Sequence, residues 1–72
     1  DDSIAVYEKY LKENPRSEDI RVLLAEAYLL KESYDKAIGQ LESLVQNEPD
    51  DLDLHFKLAL TYWRQAEIMG VV

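Results

Sequence analysis

The chain has 72 residues with 15 acidic and 8 basic side chains, a formal net charge of −7, and no cysteine. This length allows one domain at most, and the absence of cysteine excludes disulfides. The negative charge argues against binding to a nucleic-acid backbone, which requires a basic face, and no apolar run approaches the roughly 18–20 residues of a membrane span.

The first predicted element is a helix that ends before Pro15. Pro15 closes this helix because the residue before a proline avoids helical backbone angles. Its apolar side chains recur with the helical period, which places them on one face. These residues are Ile4, Tyr7, Tyr10 and Leu11.

The second predicted helix begins after Ser17, a residue type that suits an N-cap. Glu18 and Asp19 follow in its first turn, where their charges complement the helix dipole. Residues 20–31 contain no glycine or proline and are apolar on nearly all sides of the helix, so we expect neighbours on two faces. A third apolar surface, which we expect to stay open or to meet a partner, includes Val22, Leu29 and Leu30.

The second half of the chain predicts two more helices. The third spans residues 34–47 after an N-cap at Ser33. Asp50 or Asp51 caps a fourth helix, which we expect to end near Ala66. Because the connections are short, as in antiparallel helix hairpins, the sequence predicts an all-α chain of four helices.

The chain repeats itself with an offset of 34 residues, the spacing of Pro15 and Pro49. The other identities fall on apolar and turn positions, where a structural repeat needs them. The identical pairs are Asp1 and Asp35, Ile4 and Ile38, Glu8 and Glu42, Asp19 and Asp53, Leu24 and Leu58, Ala25 and Ala59, and Tyr28 and Tyr62.

These residues resemble a tetratricopeptide repeat, a helix–turn–helix unit of 34 residues. The matching motif residues are Leu24, Ala25, Tyr28, Ala37 and Pro49, and the second copy supplies Leu58, Ala59 and Tyr62. The resemblance implies antiparallel helix hairpins stacked as a right-handed α-solenoid. It also implies a division into the second helix of a preceding repeat (1–17), a full repeat (18–51), and the first helix with the truncated remainder of the next repeat (52–72).

One departure from the family pattern is Glu32, which occupies a turn position where glycine is common. We therefore expect a tighter turn there or a longer second helix. In addition, both terminal helices lack their hairpin mates. We therefore expect the chain to be an internal piece of a longer solenoid, or to self-associate through its open ends.

The sequence contains no catalytic constellation. His55 is the only histidine, and its acidic neighbours Asp51 and Asp53 are typical of helix capping. The acidic run 48–53 lacks the glycine and the ligand spacing of a calcium loop. We therefore predict no enzymatic activity, no metal ion and no other cofactor.

The resemblance implies a binding surface, because first helices of this family line a concave groove that binds peptides. The matching positions are Asp19, Val22, Glu26, Leu29, Leu30, Asp53, Phe56, Leu60, Trp63 and Arg64. A carboxylate clamp of the kind found in some members is not expected, since the clamp positions hold Val22, Glu26 and Lys57. An apolar, helical or basic segment of another protein fits better, because the acids would repel an acidic tail.

The leading hypothesis is therefore a non-catalytic protein–protein interaction scaffold. Two alternatives stay open: homo-oligomerisation or repeat stacking through the exposed faces of the terminal helices, and an accessory segment of a larger enzyme. The sequence identifies no compartment, although a soluble cytoplasmic protein is favoured.

Overall fold

The computed structural model describes residues 2–71, apart from the side chain of Asp2. This range contains four α-helices and no strand. They are α1 (Asp2–Glu13), α2 (Glu18–Leu30), α3 (Tyr34–Asn47) and α4 (Leu52–Met69). Each helix packs against the next one along the chain. The predicted all-α helical repeat solenoid is confirmed, while Asp1 and Val72, which the expected repeat units include, lie outside the described residues.

The helices begin where the sequence predicts, but only one of the three predicted caps makes a side-chain hydrogen bond. The Asp51 carboxylate accepts a hydrogen bond from the backbone N–H of Leu54 at 3.2 Å. Ser17 and Ser33 occupy the N-cap positions of α2 and α3, yet their hydroxyls form no cap hydrogen bond. Acidic residues in the first turns of α2, α3 and α4 still complement the helix dipoles.

The ends of α2 and α4 share one backbone motif. After α2, Glu32 has a φ of 59°, and the N–H of Ser33 bonds to the carbonyl of Tyr28 at 2.9 Å. After α4, Gly70 has a φ of 79°, and the N–H of Val71 bonds to the carbonyl of Ala66 at 3.1 Å. Both are left-handed C-terminal caps of the Schellman type.

These ends decide two expectations about helix length. α2 is not extended, since Glu32 itself adopts the left-handed conformation that favours glycine. α4 runs to Met69, beyond the expected end near Ala66. The reason is that no glycine or proline interrupts the helix before Gly70.

Two apolar clusters form the core, and α2 and α3 contribute to both of them. The first cluster contains Leu11, Leu24, Tyr28 and Ala37. The second contains Ala25, Leu41, Leu44 and Leu54. Ala25 and Ala37 are completely buried, which is consistent with small side chains that let neighbouring helices approach closely.

The expected third apolar surface of α2 is smaller than the sequence suggested. Leu30 is 87% exposed. Val22, however, is partly buried against the second cluster, and Leu29 is partly buried against the first. Because neighbours reach these two side chains, only Leu30 of the three is fully open.

Candidate functional site

The ten residues predicted to line the groove lie on two helices, five on α2 and five on α4. One lysine joins the two helices at this surface. The Nζ atom of Lys57 on α4 lies 3.4 Å from the Glu26 carboxylate on α2 and 3.4 Å from the Asp53 carboxylate. Two predicted acids therefore share one cation, which lowers the negative charge between the helices.

These two acids stabilise the protonated form of Lys57. Partial burial by itself lowers the pKa of Lys57, but the hydrogen bonds and charges of Asp53 and Glu26 outweigh this effect and raise its pKa. Lys57 thus stays protonated at neutral pH. Asp19, the third predicted acid, is exposed at the start of α2.

Three apolar residues of the predicted set form an exposed stripe on α4. Phe56, Leu60 and Trp63 follow one another at spacings of four and three residues, which places them on one side of a helix. All three are exposed, with Phe56 at 65% and Trp63 at 54%. Arg64 is also exposed next to this stripe. The larger share of the open apolar surface in the predicted set therefore belongs to α4.

A cavity of about 230 Å³ lies between α1 and α2. Two residues of the predicted set, Glu26 and Leu30, line this cavity. It also includes Leu23, an exposed leucine that the sequence analysis did not assign to the site. The family positions gave no signal for Leu23, although the apolar character of α2 on nearly all sides pointed to an additional contact surface.

A second cavity, of about 420 Å³, separates the start of α3 from the end of α4. Ile68 and Met69 line it and are exposed, and the Gln65 amide donates a hydrogen bond to the Asp35 carboxylate beside it. This surface was not predicted from the sequence, because α4 was expected to end near Ala66, before Ile68 and Met69. The signal available was the lack of any helix breaker before Gly70.

The lone histidine takes part in a turn contact. Its Nε2 lies 2.8 Å from the carbonyl oxygen of Pro49, and the Arg21 guanidinium donates to the carbonyl of Pro15 at 2.9 Å at the equivalent place in the preceding copy. Among the described side chains, no three or more histidines, aspartates or glutamates lie close enough together to hold a metal ion. Within residues 2–71, no helix is both long and apolar enough to cross a membrane.

A family model described as tetratricopeptide repeat matches residues 1–60 of the chain. The match covers α1, α2, α3 and the first half of α4. No curated protein and no solved structure gives a significant match.

Proposed function

Because the chain belongs to the tetratricopeptide repeat family, we propose that it binds a segment of another protein in a groove lined by α2 and α4. Tetratricopeptide repeats are protein–protein interaction modules, and their fold is generally a non-catalytic scaffold. The partner segment lies across the two helices and buries its apolar side chains on them.

The observation that carries this proposal is the exposed stripe of Phe56, Leu60 and Trp63 on α4. Aromatic side chains dominate the energetics of many interfaces, and a large exposed apolar patch marks an interaction site. Leu30, which is almost fully exposed at the end of α2, extends the apolar surface to the second helix. These residues provide anchors at two separate points.

The charges beside the stripe favour a basic or neutral partner segment. Lys57 offsets Glu26 and Asp53, but the three groups together still carry one net negative charge. Asp19 adds a further acid on α2, and the chain as a whole has a net charge of −7. This field attracts basic segments and repels acidic ones.

The test uses two synthetic amphipathic peptides that share one apolar face and carry either lysines or glutamates on the polar face. Binding is followed by the fluorescence of Trp63, the only tryptophan, and by the anisotropy of a labelled peptide. We expect the lysine peptide to bind more tightly. We also expect Trp63→Ala, measured by anisotropy, to weaken it by roughly tenfold or more.

Ile68→Ala is the matched control, since Ile68 is an exposed apolar residue of α4 outside the stripe. It should leave the affinity for the lysine peptide unchanged. Equal binding of both peptides, or an equal loss in the two variants, would contradict a groove anchored on Trp63.

A further inference from the structure

The side of α4 that carries Ala59 and Tyr62 is exposed, although its repeat equivalent on α2 is buried. Ala25 is buried and Ala59 is exposed. Tyr28 is 5% exposed, whereas Tyr62 is 45% exposed. On α2 this side packs against α3, and no helix within residues 2–71 occupies the equivalent place beside α4.

α1 and α3 differ in a complementary way, because residues that are buried on α3 have exposed equivalents on α1. Leu44 of α3 is 1% exposed, while its equivalent in α1, Tyr10, is 45% exposed. Ala37 of α3 is completely buried, while its equivalent Ser3 is exposed. α3 packs extensively on both α2 and α4, whereas the main contact of α1 within the described residues is with α2.

We propose that α1 of one copy of the chain docks against α4 of a second copy and forms, between two molecules, the hairpin that α2 and α3 form within one. α1 is the sequence equivalent of α3, and α4 is the equivalent of α2. Each copy therefore carries both halves of an interface that the chain already builds once internally.

The close approach that this hairpin needs is available between copies. Inside the chain, Ala25 on α2 and Ala37 on α3 are both completely buried. Between copies the equivalent residues are Ala59 and Ser3, both of which are small. Small side chains at these positions let the helix backbones come near each other without a steric clash.

Tyr62 is already held in the position that the interface requires. Its hydroxyl donates a hydrogen bond to the Glu42 carboxylate at 2.6 Å, and at the equivalent place Tyr28 donates to Glu8. The exposed Tyr62 ring is thus ordered before a helix docks on it, which reduces the cost of ordering it on binding.

The contact also covers the first cavity. On α4, Lys57 is partly buried and Thr61 is completely buried. The equivalent residues on α2 are more open: Leu23 is exposed and Ala27 is only partly buried. Leu23 and Ala27 line the cavity of about 230 Å³ between α1 and α2. When α1 meets α4 of a second copy, that helix lies beside this cavity and buries Leu23.

The proposed assembly is head-to-tail, because α1 and α4 are different surfaces. Such contacts generate rings or open filaments, since each added copy leaves one free face of each kind. Every copy has a net charge of −7, so mutual repulsion opposes association and salt screens it. The face on α4 adjoins the proposed groove, because Phe56 and Trp63 lie three and four residues from Ala59 on the same side of the helix.

The experiment measures the mass of the 72-residue chain by sedimentation velocity across a concentration series at low and high salt. We expect masses above that of a dimer, increasing with both concentration and salt. Ala59→Arg blocks the α4 face and Tyr10→Glu blocks the α1 face. Each variant should raise the dissociation constant by at least about 30-fold, with helicity by circular dichroism unchanged because both positions are exposed.

Mixing the two variants gives the sharpest result. The intact α1 of Ala59→Arg should pair with the intact α4 of Tyr10→Glu, and the mixture should form a dimer that cannot grow. Ala5→Arg is the matched control. Its repeat equivalent, Gly39, is exposed with nothing within 4 Å of an added Cβ, so this variant should assemble like the unmodified chain.

Three results would overturn the proposal: a monomer at all concentrations and both salt levels, unchanged assembly of Ala59→Arg, or a mixture without a dimer. The self-contact and the groove adjoin on α4 but are tested by different measurements. Ala59→Arg tests the self-contact by mass, whereas Trp63→Ala tests the groove by peptide affinity, so one can fail without the other.

Discussion

α2 and α4 carry the same motif but have different surroundings. The leucine, alanine and tyrosine of the motif are buried in α2 as Leu24, Ala25 and Tyr28. Their equivalents in α4 are partly buried or exposed. Since the three residues are identical in both copies, the difference arises entirely from the neighbouring helix. Identical residues therefore contribute to the core in one copy and present a surface in the other.

The two helices also differ in where they end. Both finish with the same left-handed cap, at Glu32 after α2 and at Gly70 after α4. The repeat equivalent of Glu32 is Ala66, which lies inside α4. The turn that joins α2 to α3 therefore has no counterpart in the second copy, where α4 continues through the equivalent position.

The largest expected contrast comes from removing the motif leucine in each copy. Leu24→Ala should cost about 3 kcal/mol, because it leaves a cavity in the first cluster. Leu58→Ala should cost about 1 kcal/mol, since Leu58 is only partly buried beside the second cluster. Urea unfolding followed by circular dichroism gives both values. The free energy of unfolding of a domain this small is roughly 3–5 kcal/mol, so Leu24→Ala should lose most of its cooperative unfolding transition. Equal costs for the two variants would contradict the contrast between α2 and α4.

The motif tyrosines should give the next largest difference. Tyr28→Phe removes a hydrogen bond to the Glu8 carboxylate beside the core and should cost about 1.5 kcal/mol. Tyr62→Phe removes the matching bond to Glu42 on an exposed side chain, and its unfolding midpoint should not change measurably. The measurement is urea unfolding of both variants at pH 7, and a larger loss for Tyr62→Phe would contradict the assignment.

The raised pKa of Tyr28 predicts how the stability of the fold depends on pH. Burial, followed by the hydrogen bond and the charge of Glu8, raises the pKa of Tyr28 from 10.0 to about 12. The folded chain therefore keeps this proton after the unfolded chain has lost it. The resulting stability is fully present below pH 10 and is lost as the pH rises toward 12. The difference between the unmodified chain and Tyr28→Phe should narrow over this range, and a constant difference would argue against the shift.

The smallest effects on stability are expected at the turn position of the two copies, where a glycine should have opposite effects. Glu32→Gly should stabilise the chain by about 1 kcal/mol, because glycine adopts a φ of 59° without the steric cost of a side chain. Ala66→Gly should destabilise it by about 1 kcal/mol, since glycine is unfavourable inside a helix. Thermal unfolding of both variants checks this, and a shift in the same direction would show that the equivalent positions are not used differently.

The candidate site was predictable only in outline. The family positions pointed to Phe56 and Trp63 from register alone, and both side chains are exposed on α4. Their part in binding stays a prediction. The same positions did not indicate that Val22 and Leu29 would be partly covered. Nor did they indicate the ion pair between Lys57 and Glu26, since it joins side chains on two different helices.

The sequence by itself determined the helices, their order and the repeat. These follow from local signals: prolines at Pro15 and Pro49, the helical period of apolar residues, and identities at an offset of 34 residues. The tertiary structure alone decided which motif copy is buried, how Glu32 closes its turn, and which apolar faces stay open. Helix formation depends on neighbours along the chain, whereas burial depends on neighbours in space. Tyr28 and Tyr62 occupy equivalent repeat positions within helices, yet only Tyr28 is buried.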